Sequence, residues 1–219
     1  MSEDHRVARA DGEPTKHGPA GAERWSAYLG WVRQEIVDGV LGLSETERRT
    51  TRLPSGWTPI ELLSHVLHME RRWFVWGFLG EQVGDPWGDW SRDDPWEGRE
   101  DGPEPRWQVP ADVTAESLAA RLREVGARTT QVLAEHDLDE MPPPSLRWDH
   151  TDGTPPLRWI CFHVLHEYAR HAGHLDIVRE MIDGDIGRSA GDSNIADGFD
   201  WPAYVEKLEA IARGDSSES

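Results

Sequence analysis

Four segments of this chain repeat their apolar residues every three or four positions, and no segment alternates apolar with polar as a half-buried strand would. That pattern restricts the fold to packed helices, each burying one stripe against its neighbours. In the first segment the stripe is Trp25, Leu29, Val32, Ile36, Val40 and Leu43, and the helix is expected to end near Gly42. The second opens with Thr58 as N-cap, Pro59 at the first helical position and Glu61 three residues after the cap. Its apolar set, Leu62, Leu63, Val66, Met69, Trp73 and Trp76, carries a helix to about Leu79. Thr114 caps the third, with Leu118, Leu122, Val125, Val132 and Leu133 on one side. The fourth starts at Pro155 or Pro156 and runs to Gly184.

Between the second and third helices, residues 80–112 hold Gly, Pro, Asp and the tryptophans Trp87, Trp90, Trp96 and Trp107 without a helical period. A connection this long is uncommon unless it has a function, and tryptophans need a surface to bury against, so an ordered lid is expected. Residues 1–21 are polar and read as a disordered leader; 22–213 read as one helical domain that includes a short C-terminal helix at 201–213; 214–219 are a polar tail. A chain of 219 residues is long enough for one substantial core.

The formal net charge is -18, from 41 acidic and 23 basic side chains, which repels a phosphate backbone and anionic membranes. Nucleic acid and membrane surfaces are therefore not expected partners; a small molecule is. Nowhere do about 18 apolar residues run together, and the N-terminus lacks the apolar core of an export signal. Cys161 is the only cysteine, which excludes an intrachain disulfide framework and points to the cytoplasm. Lys16 and Lys207 are the only lysines, an arginine bias expected of a GC-rich bacterial genome.

The chemistry concentrates in "HVLHEYARHAGHLD", residues 163–176. At 100° per residue, His163, Glu167, His171 and His174 fall within an arc of roughly 80° and form one stripe. His166 lies to one side, and Cys161 points away, as a small buried residue would. Two donors four residues apart on one helix can chelate one divalent ion if a third comes from another element. His65 and His68, set among Leu62, Leu63, Val66 and Met69 on the second helix, provide that element.

The segments "LLSHVLHMERRWF" and "HVLHEYARHAGHLDIVREMIDG" together resemble the DinB-like superfamily of four-helix metalloproteins, particularly its actinobacterial branch. The resemblance spans residues from about 23 to 184. It implies an all-α, up-down-down-up four-helix bundle with a long crossover and a divalent metal on three side chains. The family's second-helix ligand falls on His65, and its fourth-helix pair on Glu167 and His171. His163 and His174 then become hydrogen-bond partners of the ligands or the lining of the open metal face, one of them replacing Glu167 if that carboxylate only orients a histidine. Glu70 is expected either to hydrogen-bond a ligand histidine or to face solvent. Arg170 and Arg179 are candidates to hold an anionic substrate.

Related proteins use low-molecular-weight thiols, as transferases and as maleylpyruvate isomerase, so the resemblance implies a metal-dependent S-transferase with a mycothiol-type cosubstrate. Zn2+ is the expected ion, with Ni2+, Fe2+ and Mn2+ compatible with the same donors. Metal-activated hydrolysis, a non-haem iron oxygenase and a non-catalytic metal-binding stress or interaction protein are the competing readings. Family members are often dimeric, and faces of the first and third helices could pair to form a homodimer.

Overall fold

The computed structural model describes residues 13–81, 108–144, 153–187 and 198–214. Most of the expected tryptophan-rich lid, 82–107, lies outside them, as does the leader up to residue 12. From 13 to 21 the expected leader is tied to the first helix. Arg24 donates to the carbonyls of Pro19 at 2.7 Å and Gly18 at 3.0 Å, and the Tyr28 hydroxyl donates to Glu13 at 3.0 Å.

The described elements are all helical: α1 (Ala22–Leu41), α2 (Glu45–Arg49), α3 (Pro59–Arg71), α4 (Ala115–Glu135), α5 (Leu157–Asp183) and α6 (Trp201–Arg213). Their ends follow local chemistry. Thr58 and Glu61 form a reciprocal capping box on α3, Thr114 accepts from the Ser117 amide at 3.2 Å, and Gly184 ends α5 in the left-handed conformation at φ 78°. The second helix departs from expectation beyond Arg71, where Arg72–Phe78 form a π-helical segment; Leu79 N–H bonds the carbonyl five residues back, on Phe74. Helix α2 was not expected, although Ser44 and Glu47 write its capping box in the sequence.

Side-chain pairs fix the direction of each helix. Trp25 meets Phe162 and Gly39 meets Leu175, so α1 and α5 are parallel. His65 meets His171 and Trp73 meets Trp159, so α3 runs against α5. Glu70 with Thr129 and Phe78 with His136 make α4 parallel to α3. The result is up-down-down-up, with α3 and α4 parallel.

Both α1 and α3 pack on α4 and α5. Leu29, Ile36, Leu63, Val66, Leu122, Ile160 and Val164 are fully buried in the core between them. Truncating one such residue to alanine typically costs about 2–5 kcal/mol. Helices α1 and α5 approach closely at Gly39, where an added Cβ would lie 2.7 Å from the Leu175 Cδ2.

At the centre one polar group from each helix meets the others. Glu70 of α3, 0% exposed, accepts from Arg33 of α1 at 2.8 and 2.6 Å, from Thr129 of α4 at 2.6 Å and from Tyr168 of α5 at 2.5 Å. Burial by itself would lower the Arg33 pKa, but the Glu70 carboxylate outweighs it and holds the guanidinium above its ordinary value. Burial, and then Glu70, push Tyr168 well above the usual phenol range, so its hydroxyl stays a donor. Bidentate pairing plus two hydroxyl donors gives the buried carboxylate the satisfaction that a charge in this setting requires.

Residues 189–219 form a separate compact unit. Its helix α6 is capped by Asp200, which accepts from the Ala203 amide at 3.0 Å. No helix among the described residues is long and apolar enough to cross a membrane.

Candidate metal centre and adjoining pocket

The capping box starts α3 at Pro59 and so sets its phase, which turns His65 toward α5. On α5 the spacing of four residues puts Glu167 and His171 on the same face. The donor atoms of His65, Glu167 and His171 all lie within 4.8 Å of one another. Among the described residues this is the one group of three or more such donors gathered so closely. His171 Nε2 is 3.5 Å from Glu167 Oε2. Two donors of one tetrahedral ion bound at about 2.0–2.2 Å would stand roughly 3.3–3.5 Å apart.

His171 is buried and, among the described residues, its Nδ1 has no hydrogen-bond partner, an arrangement that costs free energy unless water reaches that nitrogen. Burial lowers the His65 pKa to about 3, with His171 adding to the effect. Burial also lowers His171, against the opposing pull of Glu167. Both imidazoles are therefore neutral at pH 7 and keep lone pairs for coordination. Two neutral imidazoles and one carboxylate fit a divalent cation of the zinc type.

Trp57 closes one side. Its ring stacks on His171 at 5.9 Å between centroids with a 22° interplanar angle, and meets His65 edge-on at 5.6 Å. This residue was missed as part of the site, although an apolar residue just before the Thr58 cap is a recognised staple position.

The other expected site residues separate into distinct surroundings. His163 sits between Trp73, at 4.2 Å, and Trp159, on which it stacks at 5.0 Å. His174 stands beside the cluster, its ring 5.5 Å from that of His171. Glu70 has Arg33, Thr129 and Tyr168 as its partners, so it neither faces solvent nor appears on a histidine nitrogen. His68 is buried, with its Nδ1 3.0 Å from the Arg71 guanidinium, and burial followed by Arg71 lowers it to about 3. Arg179 is engaged by the Gly39 carbonyl and by Asp183 and Asp185. Cys161 is fully buried and pushed up to about 12, an inert thiol away from the cluster.

A cavity of about 270 Å³ adjoins the cluster, between the 53–59 segment and α5. His171 and His174 both line it, so the His171 imidazole belongs to both the donor group and the pocket.

A family model described as mycothiol S-transferase matches residues 25–184. The chain belongs to this family. The matched span takes in α1 to α5, and with them all three clustered donors and the pocket, and it agrees with the DinB-like resemblance of the sequence. No match was found among curated proteins or among solved structures.

Proposed function

We propose that the protein is a divalent-metal-dependent S-transferase that joins a low-molecular-weight thiol of the mycothiol type to an electrophilic small molecule. The observation that carries this reading is the convergence of His65, Glu167 and His171 beside a pocket large enough for a small molecule. Membership of the mycothiol S-transferase family supports the choice of thiol.

His65 and His171 would hold the ion through imidazole nitrogens and Glu167 through its carboxylate, leaving positions for an exogenous ligand as in catalytic rather than closed sites. Zn2+ is assigned first, and Ni2+, Fe2+ and Mn2+ accept the same donors. When bound, the cation supplies the positive charge that favours thiolate over thiol, whose free pKa is about 8.5.

The protein's own side chains do the rest. Burial keeps the two imidazoles unprotonated, and Trp57 fixes their rings and shields them from water. The Tyr168–Glu70 hydrogen bond ties α5 to α3 close to the donors, with Tyr168 next to Glu167 in the chain and Glu70 five residues from His65. His174, exposed on the pocket wall, is the group placed to accept the proton that the thiol gives up. We assign the reaction to the cytoplasm, where the thiol pool is kept reduced.

The test is conjugation of mycothiol to 1-chloro-2,4-dinitrobenzene by the purified full chain, before and after chelation and after returning Zn2+. The proposal expects thiol-dependent product that chelation removes and zinc restores. Ester hydrolysis at the same rate with or without thiol would move the assignment to a metal hydrolase.

A further inference from the structure

The pocket wall has a composition that restricts what can occupy it. Its surface is mostly apolar, with Leu53, Trp57, Leu62, Leu175 and Val178 among the lining residues, and no aspartate or glutamate among the described residues lines it. Arg170 is its one permanently charged lining residue. The two arginines of this part of α5 differ sharply. Arg179 is held by Asp183, Asp185 and a backbone carbonyl, whereas no carboxylate among the described residues pairs with Arg170.

Arg170 is exposed and lines an apolar cavity, where a ligand carboxylate gains a charge-assisted contact while the rest of the ligand leaves water. This is notable in a chain of net charge -18, whose long-range field disfavours anions. A volume of about 270 Å³ lies at the small end of ligand pockets, which suits one ring with short substituents.

We propose that the cavity shared by Arg170, Trp57 and His171 selects single-ring electrophiles that carry one carboxylate, with Arg170 as the residue that determines this preference. Binding of such a molecule stands on the pocket alone; its reaction rests on the S-transferase reading above. For a chloromethyl arene the step is a displacement. The thiol sulfur bonds to the benzylic carbon, chloride leaves with the carbon–chlorine electron pair, and the thiol proton passes to His174 and from there to solvent.

The first experiment is calorimetric titration of the full chain, zinc-loaded and chelated, with 4-methylbenzoate and with the neutral 4-methylbenzamide. The benzoate binds about tenfold or more tightly than the amide, in both metal states. Arg170→Gln brings the two within about twofold, and Arg170→Lys restores part of the difference. Ser55→Trp, at the exposed edge of the pocket, weakens both ligands. Equal affinities in the wild type, or a preference that survives Arg170→Gln, overturns the proposal. A preference lost on chelation also overturns it, because the carboxylate would then be on the metal.

The second experiment compares 4-(chloromethyl)benzoate with 4-(chloromethyl)benzamide in the mycothiol reaction. Arg170→Gln lowers the benzoate-to-amide ratio of kcat/KM by about tenfold, chiefly through KM. Conjugation with no benzoate preference in binding or turnover sinks the pocket assignment and leaves the transferase. Charge-selective binding with no conjugation does the reverse.

Discussion

Replacing Arg33 with methionine tests whether the four-helix polar centre holds the bundle together. Methionine retains much of the side-chain bulk but removes both hydrogen bonds to a carboxylate that is 0% exposed. At about 1.5–3 kcal/mol for each charge-assisted hydrogen bond, the loss is roughly 3–6 kcal/mol. The Thr129 and Tyr168 donors to Glu70 remain. The net expectation is about 3–5 kcal/mol, in line with the general cost of breaking a buried pair from one side. The assay is urea unfolding of the full chain at pH 7, followed by far-UV circular dichroism with the m-value compared between variants. Arg33→Met, Glu70→Leu and the double variant form a cycle, and removing both charges should cost at least about 2 kcal/mol less than the sum of the singles. A loss under about 1 kcal/mol for Arg33→Met, or simple additivity in the cycle, refutes the reasoning.

Other outcomes follow from the same structure. Gly126→Ala puts a Cβ 2.5 Å from the Arg33 Cζ, so thermal unfolding should show a loss of about 1–3 kcal/mol instead of the usual helix-propensity gain. His68 faces Arg71 and Arg72 on its own helix and Arg121 on α4, and its pKa of about 3 lies below the unfolded 6.5. The unfolded state therefore binds the extra proton, and stability is lost as pH falls from 6.5 toward 3. This one residue accounts for about 1–2 kcal/mol at pH 5, a share of the slope that His68→Gln should abolish in pH-dependent urea titrations. Cys161, fully buried, should resist iodoacetamide in the native protein and react on unfolding; rapid native alkylation, read by mass spectrometry, would contradict its placement. His174→Asn should lower turnover of the mycothiol reaction by about tenfold or more while the bound metal is retained, and loss of metal would make His174 a ligand instead.

The helices were legible because their signals are local. Stripes such as Leu29–Ile36–Val40 and the Thr58–Glu61 box need no knowledge of partners, and the structure buries those stripes as read. The four-residue spacing on α5 put Glu167 and His171 on one face, but the choice of His65 over His68, and of this pair within the stripe, came from the family resemblance; the structure groups these three side chains. Other features depended on tertiary context. For Glu70 the sequence offers either a hydrogen bond to a ligand histidine, as a carboxylate near a metal site commonly makes, or exposure to solvent. Its partner is Arg33, 37 positions away, and only the bundle brings the two together. A signal was present all the same: Arg33 falls on the stripe of Leu29, Ile36 and Val37, and a charge at such a position implies a buried counter-charge. Trp57 sits in a loop whose path no periodicity records. The π-helical turn at Arg72–Phe78 keeps the apolar composition of the α-helix it extends, so nothing in the pattern distinguishes it.

The central claim is the three-residue metal site, and bound metal measures it most directly. Untagged wild type, reconstituted with zinc and desalted, should carry about one equivalent by inductively coupled plasma mass spectrometry. His65→Ala, Glu167→Ala and His171→Ala should each lose it while retaining helical circular dichroism, and His163→Ala should keep it. A wild type that holds no metal, or a folded Glu167→Ala that binds as the wild type does, would contradict the account.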